Sequence, residues 1–195
     1  MAFRYCGSLT SVTIPDGVTA VGDYVFEYCT NLTSATISNS VTTIGAYMFK
    51  GCTSLTDVTL PNGITAIGAD TFYGCTSLSQ FTIGENITTI NTRAFYGCSA
   101  LASITIPESV TTIEDRAFYD CAALESVYCK PLTPPTIGSV VFNKNHTTRK
   151  IYVPAASLDA YKAASGWSAY ADAIEVDNSG TPGGDIGENI YPGEL

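Results

Sequence analysis

Residues Ala94 to Cys121 read AFYGCSALASITIPESVTTIEDRAFYDC, and the motif AFYGC returns as AFYDC after 23 residues. The same interval separates six phenylalanines and six cysteines along the chain. A fixed period of about 20 to 50 residues is the sequence signature of a solenoid, in which each turn packs only against its neighbours. The two sets are Phe3, Phe26, Phe49, Phe72, Phe95 and Phe118, and Cys6, Cys29, Cys52, Cys75, Cys98 and Cys121.

Each unit predicts two short extended pieces and a turn. The stretch Ile104–Ile106 alternates apolar and polar residues that are all β-branched, which indicates a strand. Pro107 ends it, because proline cannot donate to a strand ladder. Residues 110–113 form a second extended piece, and the Ala-Phe-Tyr-x-Cys segment closes the unit as a short 3₁₀ or α turn. Such a unit is too small to be stable alone, so stacking is required.

The pattern predicts about seven strand rungs followed by a cap. It continues past Cys121 with one inserted residue, and residues 151–154 repeat the pattern of residues 104–107. The first inward positions of the rungs are Val12, Ala35, Val58, Phe81, Ile104, Val127 and Ile151. Apolar residues then recur at near-helical spacing, which indicates a small helical cap over the last turn. We therefore expect a solenoid at 1–154, a C-terminal cap at 155–176 and a Gly-rich, acidic flexible linker or tail at 177–195.

The charge balance excludes several classes of partner. Nine basic residues oppose 18 acidic ones, which gives a net charge of −9. That field repels nucleic acid and anionic lipid, and no apolar run is long enough for membrane insertion by this segment. The N-terminus shows no signal peptide and begins in mid-repeat, so we expect the chain to be part of a longer parent protein.

The repeated cysteines favour a structural ladder over a disulfide or metal site. Stacked rungs place neighbouring Cα atoms within disulfide range, but side chains in register point the same way rather than at each other. No close C-x-x-C pair of the kind zinc sites use occurs. We expect buried thiols packed with the inward phenylalanines, and no metal or cofactor. Cys129, which takes an aliphatic position, is also expected to point inward.

Two rows of residues are candidates for binding. The outward strand positions form a flat row that suits an ice, glycan or protein surface, although threonine also suits an ordinary solvated strand. The tyrosines that follow the inward phenylalanines suit recognition and glycan stacking, or simply cover a turn. His146 is the only histidine and nothing orients it, so no catalytic site is predicted. The candidates are Tyr73, Tyr96, Tyr119, Thr36, Thr59, Thr82, Thr105 and Tyr128.

Units of the type A-F-x-x-C-x-x-L-x-x-I-x-I-P-x-x-V-x-x-I resemble the BspA-like class of bacterial leucine-rich repeats, and the ending IYVPAASLDAYKAASGWSAYADAI resembles the cap of these arrays. The resemblance covers residues 2 to about 176. It implies a right-handed solenoid with a strand-lined face, in a bacterial cell-surface or secreted protein. Members are associated with adhesion to host matrix proteins or other cells, and the family carries no catalytic residues to transfer.

Two functions are consistent with this pattern. The first is a non-enzymatic binding module that presents a rigid repeat surface to an extracellular protein or glycan. The alternative is a structural spacer, or a repeat segment of a larger surface or phage-fibre protein, with no ligand of its own.

Overall fold

The computed structural model describes residues 2–179 and shows a solenoid of about seven turns built from short parallel strands. A short helix lies near the C-terminal end. The strands are β1 (Ser11–Ile14), β2 (Ala20–Val21), β3 (Ser34–Ile37), β4 (Thr43–Ile44), β5 (Asp57–Thr59), β6 (Ala66–Ile67), β7 (Thr89–Ile90), β8 (Ser103–Ile106), β9 (Thr112–Ile113), β10 (Ser126–Cys129), β11 (Thr136–Ile137), β12 (Lys150–Val153) and β13 (Ile174–Val176). The helix α1 spans Leu158–Ala163, between 3₁₀ segments at Ala155–Ser157 and Trp167–Ala173.

The longer strands line one side of the solenoid, which we call the strand face. It consists of a sheet β1–β3–β5 and a second sheet β8–β10–β12–β13. Equivalent residues pair across neighbouring turns, so that Thr13 lies opposite Thr36 and Thr36 opposite Thr59. The two-residue strands form two further sheets, β2–β4 and β6–β7–β9–β11. Each turn thus crosses the same core twice, with its apolar side chains inside.

The abundant threonines bind one turn to the next. The hydroxyl of Thr56 donates to the carbonyl oxygen of Thr33 (3.1 Å), and Thr88 does the same to Thr65 (3.1 Å). The backbone N–H of each of these residues donates to the same carbonyl. Because the period places a threonine beside a threonine in several successive turns, the same bonds recur at Thr33 to Thr10 and at Thr111 to Thr88. This explains why threonine recurs at exposed positions where apolar packing makes no demand.

The aromatic turns stack into a continuous core. The rings of successive phenylalanines lie 5.1 to 5.7 Å apart from Phe3 to Phe142. The N–H of Cys29 bonds to the carbonyl of Phe26, which is the i→i−3 bond of a 3₁₀ turn. The residues two before and two after the phenylalanine have positive φ in successive turns, for example Tyr24 (60°) and Tyr28 (57°). These two left-handed residues bend the chain sharply around each ring.

The C-terminal segment closes the core at the last turn. Trp167 and Tyr161 are buried and in contact with each other, and their rings lie 4.9 Å apart. The indole N–H of Trp167 donates to the carbonyl of Pro135 (2.7 Å), and the Tyr161 hydroxyl donates to Pro131 (2.9 Å). Strand β13 then pairs with β12 and extends the strand face. Residues 180–195 of the expected tail lie outside the described residues.

The expectation of a strand at Phe81 to Ile83 is wrong. Residues 80–83 are not a strand, and the strand face is divided there into its two sheets. The ring of Phe81 packs against the stacked rings of Phe72 and Phe95, with centroid distances of 4.9 and 5.0 Å. A phenyl ring is larger than the valine, alanine or isoleucine that other turns place here, so the backbone lies outside pairing distance of its neighbours. The number of turns is as predicted, and β13 adds a strand.

Candidate functional site

The three predicted tyrosines form a stacked row on the surface of the aromatic turns. The rings of Tyr73 and Tyr96 lie 4.6 Å apart and 6° from parallel. Tyr96 and Tyr119 lie 5.1 Å apart at 20°. Each tyrosine follows a buried phenylalanine, so its backbone is held by the stacked core while its ring is half-buried. The solenoid therefore presents three aromatic side chains in a fixed order.

The row continues in both directions through residues that the sequence analysis did not single out. Tyr24 and Tyr47 stack at 4.5 Å, and Lys50 joins them to the predicted row, its Nζ lying 5.2 Å from the Tyr47 ring and 5.0 Å from the Tyr73 ring. At the far end Lys144 Nζ lies 5.4 Å from the Tyr119 ring. The aromatic–cationic ladder, as we call it, consists of Arg4, Tyr24, Tyr47, Lys50, Tyr73, Tyr96, Tyr119 and Lys144.

The sequence pattern did not predict the whole ladder because its tyrosines do not all occupy the same position in the repeat. Tyr24 and Tyr47 stand two residues before their phenylalanines, whereas Tyr73 stands one residue after. The 23-residue interval between Tyr24 and Tyr47 was a usable signal, but a search along one repeat position does not join the two groups. Only the folded turn shows that Lys50 lies between them.

Charged groups around the ladder are held in place by specific partners. Glu27, which is buried, forms an ion pair with Arg4, and this hydrogen bond raises the pKa of Arg4. A hydrogen bond with Tyr119 and the nearby carboxylate of Asp120 raise the pKa of Lys144. Cations above aromatic faces gain electrostatic energy from the ring quadrupole. The ladder therefore keeps its positive charges in a protein that is otherwise strongly acidic.

A second ion pair lies beneath the ladder. Asp70 is almost completely buried, and its Oδ2 lies 3.0 Å from Nη2 of Arg93 in the next turn. Asp70 and Arg93 occupy the same repeat position as Tyr47, and both have positive φ. Removing Arg93 would leave the buried carboxylate of Asp70 without its partner, which is costly, whereas the more exposed Arg93 can be solvated by water. The pair fixes the spacing of the turns that carry the middle of the ladder.

The threonine row is divided into two parts. Thr36 and Thr59 pair across β3 and β5, and Thr105 pairs with Tyr128 across β8 and β10. Thr82 is exposed but lies in the segment that is not a strand, so it does not extend either part. Beyond the threonines, Tyr128 stacks on Tyr152 at 5.0 Å. The structure therefore does not bring the predicted outward residues into one flat row.

The cysteines lie inside the solenoid as donors to the backbone. The thiol of Cys98 donates to the carbonyl of Phe72 at 3.2 Å, and every 23-residue step from Cys29 to Cys121 repeats this contact at 3.0 to 3.2 Å. All seven cysteines are free, and all but Cys6 are buried. Burial raises the pKa of Cys52 and of Cys121 to about 12, and those of Cys75 and Cys98 well above 9.0. These thiols stay protonated at neutral pH, and a thiol rather than a thiolate is a poor nucleophile.

The remaining candidate groups do not assemble into a reactive centre. His146 is partly exposed and contacts Thr148 (3.0 Å) and Glu125 (3.4 Å). Within residues 2–179, no cluster of three or more His, Cys, Asp or Glu side chains has the arrangement of a metal site. In the same range, no helix has both the length and the apolar character needed to cross a membrane.

Comparison with known proteins identifies the repeat. A family model of the BspA-type leucine-rich repeat region matches with six copies, over residues 1–125 and 65–164. None of the curated proteins matches the chain significantly. The family match covers the solenoid and includes the aromatic–cationic ladder.

Solved structures of bacterial proteins share the fold. A leucine-rich cell-surface protein of Faecalibacterium prausnitzii is 38% identical, with 62% of this chain and 32% of its own length covered and a TM-score of 0.60. A leucine-rich repeat protein of T. pallidum is 30% identical over 77% of this chain and 71% of its own, with a TM-score of 0.69. The pneumococcal vaccine antigen PcpA, at 18% identity and a TM-score of 0.61, covers 86% of this chain and 40% of its own and shows the fold alone. The chain spans about a third of the length of the F. prausnitzii protein.

Proposed function

The chain belongs to the BspA-type leucine-rich repeat family, and on that premise we propose that it is a non-enzymatic adhesion module of a bacterial cell-surface or secreted protein. It binds a host protein or a glycan through the aromatic–cationic ladder. The description of the F. prausnitzii relative as a cell-surface protein supports this location.

The observation that carries the proposal is the continuity of the ladder. Its eight side chains lie in an unbroken series of contacts of 4.5 to 5.4 Å, across seven turns of a stacked core. Tyrosine and arginine are enriched in binding hot spots, and tyrosine buries a large area at a small cost in conformational entropy. A preorganised row loses little freedom on binding, so many modest contacts add up.

The chemistry of the ladder indicates the kind of ligand. Because neighbouring rings cover each other's faces, the half-exposed tyrosines present ring edges and hydroxyl groups, which contact apolar side chains or the hydroxyl groups of sugars. Lys50 and Lys144 add cations at the middle and at one end of the row. In a protein with a net charge of −9, these cations make the ladder the place where an acidic group is attracted rather than repelled. We therefore favour a ligand that combines apolar side chains or sugar hydroxyl groups with carboxylate or sulfate groups.

The experiment is binding of the purified chain to arrays of matrix proteins and glycans. The ladder variant replaces Tyr73, Tyr96 and Tyr119 with alanine, and the matched control replaces three threonines of the strand face, Thr13, Thr36 and Thr59, with alanine. Circular dichroism checks that both variants are folded. The proposal requires saturable binding that the ladder variant loses and the threonine variant keeps.

The other outcomes point elsewhere. Binding that survives in the folded ladder variant moves the site to the strand face or the cap. Absence of binding to every ligand favours the spacer, or a repeat segment of a larger surface or phage-fibre protein. One observation favours that alternative: the stacked turns are joined by backbone bonds in every repeat, as a stiff rod requires.

A further inference from the structure

The strand face contains one segment without backbone partners. Every other pair of neighbouring turns on this face is joined by parallel strand pairing. In residues 79–83, by contrast, no N–H or C=O forms a backbone–backbone hydrogen bond with any other residue between 2 and 179. As a result, β5 and β8 each present an unpaired edge toward this segment. Backbone groups in a folded protein are nearly always paired, so such an edge accepts another strand readily.

The interruption opens a cleft beside β5. A cavity of about 620 Å³ lies between residues 56–64 and residues 79–87. This volume falls within the range of about 300–1,000 Å³ that is usual for ligand sites. Val58 and Phe81, which occupy inward positions, are only partly buried here, whereas the equivalent Ile104, Val127 and Ile151 are buried. The cleft therefore has an apolar floor at a point where other turns of the solenoid bury the equivalent side chains.

The rim of the cleft is polar and acidic. Asp57 stands on the edge of β5, Gln80 on the unpaired segment, and Glu85 on the turn that follows it. No lysine, arginine or histidine is among the residues that line the cavity. The charge of the rim is therefore opposite to that of the aromatic–cationic ladder.

We propose that this cleft binds an extended, basic peptide segment of a partner protein by strand addition against β5. The bound segment supplies the N–H and C=O groups that the strand edge lacks, alternate side chains enter over Val58 and Phe81, and the remaining side chains reach the rim. Lysine or arginine at those rim positions pairs with Asp57 and Glu85. This site is separate from the ladder, so it does not depend on the adhesion proposal.

Peptide recognition fits the cleft better than sugar recognition. The walls offer the free edge of β5 and the unpaired backbone groups of residues 79–83, which a peptide satisfies with a regular repeat of N–H and C=O groups and a sugar does not. The only aromatic ring that lines the cavity, Phe81, packs against the stacked rings of both Phe72 and Phe95 and is tilted from them by 58° and 65°. A single tilted ring that already contacts two core rings offers little free face on which a sugar could stack.

The test uses the peptide acetyl-KTVTIK-amide as the probe, with ¹⁵N-labelled full-length chain followed by NMR. We expect saturable shifts of the amides of residues 57–59 and 79–83. The same peptide N-methylated at its four central residues keeps its side chains but loses its N–H donors, and it should bind about tenfold to a hundredfold more weakly. No binding of the parent peptide, or equal binding of the methylated one, would overturn the proposal.

Two variants locate the site. Phe81→Val introduces the smaller residue that several other turns have at this position. Residues 80–83 should then pair with the neighbouring strands and gain protection from hydrogen exchange, and peptide binding should be lost. Asp57→Asn with Glu85→Gln preserves the shape of the cleft and should weaken binding roughly two- to tenfold, with a smaller dependence on salt. Unchanged binding in both variants, or shifts of the cleft amides with neutral oligosaccharides but not with the peptide, would contradict the assignment.

Discussion

The buried thiols predict that the protein loses stability steeply in mild alkali. The thiol of Cys98 is a hydrogen-bond donor to a backbone carbonyl, and a thiolate cannot donate. Burial raises the pKa of the core thiols far above the ordinary value of 9.0, and for Cys52 and Cys121 to about 12. In the unfolded chain the same groups ionise near 9.0. Above that pH the unfolded state holds fewer protons, so the free energy of unfolding falls as pH rises toward the folded-state pKa.

The expected magnitude follows from the linkage relation. At pH 10, one thiol with an unfolded pKa of 9.0 and a folded pKa of about 12 lowers the free energy of unfolding by roughly 1–2 kcal/mol. Five thiols behave this way, and together they give a loss of about 7 kcal/mol between pH 8 and pH 10. This is a large part of the roughly 5–15 kcal/mol that stabilises a typical domain. The five are Cys52, Cys75, Cys98, Cys121 and Cys129.

Urea unfolding under reducing conditions, followed by far-UV circular dichroism and by the fluorescence of the single tryptophan, measures this loss at several pH values. The informative variant is Cys75→Ala with Cys98→Ala, which is less stable at neutral pH but has two fewer thiols to ionise. Its loss between pH 8 and pH 10 should be about 4 kcal/mol rather than about 7. Tyrosine and lysine ionisation affects both proteins equally. Equal pH dependence in the two proteins would refute the reasoning.

Three further substitutions test single contacts. Gly51→Ala should destabilise the folded protein by about 1–3 kcal/mol more than Gly74→Ala, and thermal melts compare the two variants. Both glycines have positive φ, but only at Gly51 would an added Cβ overlap a neighbouring ring, that of Tyr28. Trp167→Phe should cost about 1–3 kcal/mol in urea unfolding, since it leaves a buried carbonyl without its donor. Lys130→Ala should raise the pKa of Asp177, which is now about 2, and an NMR titration measures the change. In the unmutated protein, the ionised carboxylate stabilises the fold at pH values above its ordinary pKa, and this stabilisation is lost as pH falls toward 2.

The repeat and its core were predictable because they depend on residues near each other in the unit. A phenylalanine that returns every 23 residues must face a phenylalanine in the next turn, and the stacked rings from Phe3 to Phe142 follow directly. The cap was predictable for a similar reason, because apolar residues, Tyr161 among them, recur at near-helical spacing after residue 154. The hydrogen bonds of the cysteines were not, since nothing in the spacing of Cys98 shows that a carbonyl of the preceding turn lies 3.2 Å away.

The candidate site was predictable only in part. The spacing of Tyr73, Tyr96 and Tyr119 showed that they share a column, and they do stack. Lys50 connects Tyr73 to Tyr47, which occupies a different position in the repeat. This contact depends on the direction in which the left-handed backbone at Tyr47 places the side chain. A fixed 23-residue interval relates equivalent positions of successive repeats, but it does not show which residues at non-equivalent positions are in contact.

By itself, the sequence determined the period, the number of turns, the inward residues and the presence of a cap, because each of these repeats at short range and the hydrophobic effect acts on the pattern. Only the tertiary structure decided where the pattern fails and what lies side by side. Phe81 has an inward position and a suitable character for a strand, yet its ring must share space with Phe72 and Phe95. That competition for volume arises between turns, and it opens the strand face where a regular repeat would have closed it.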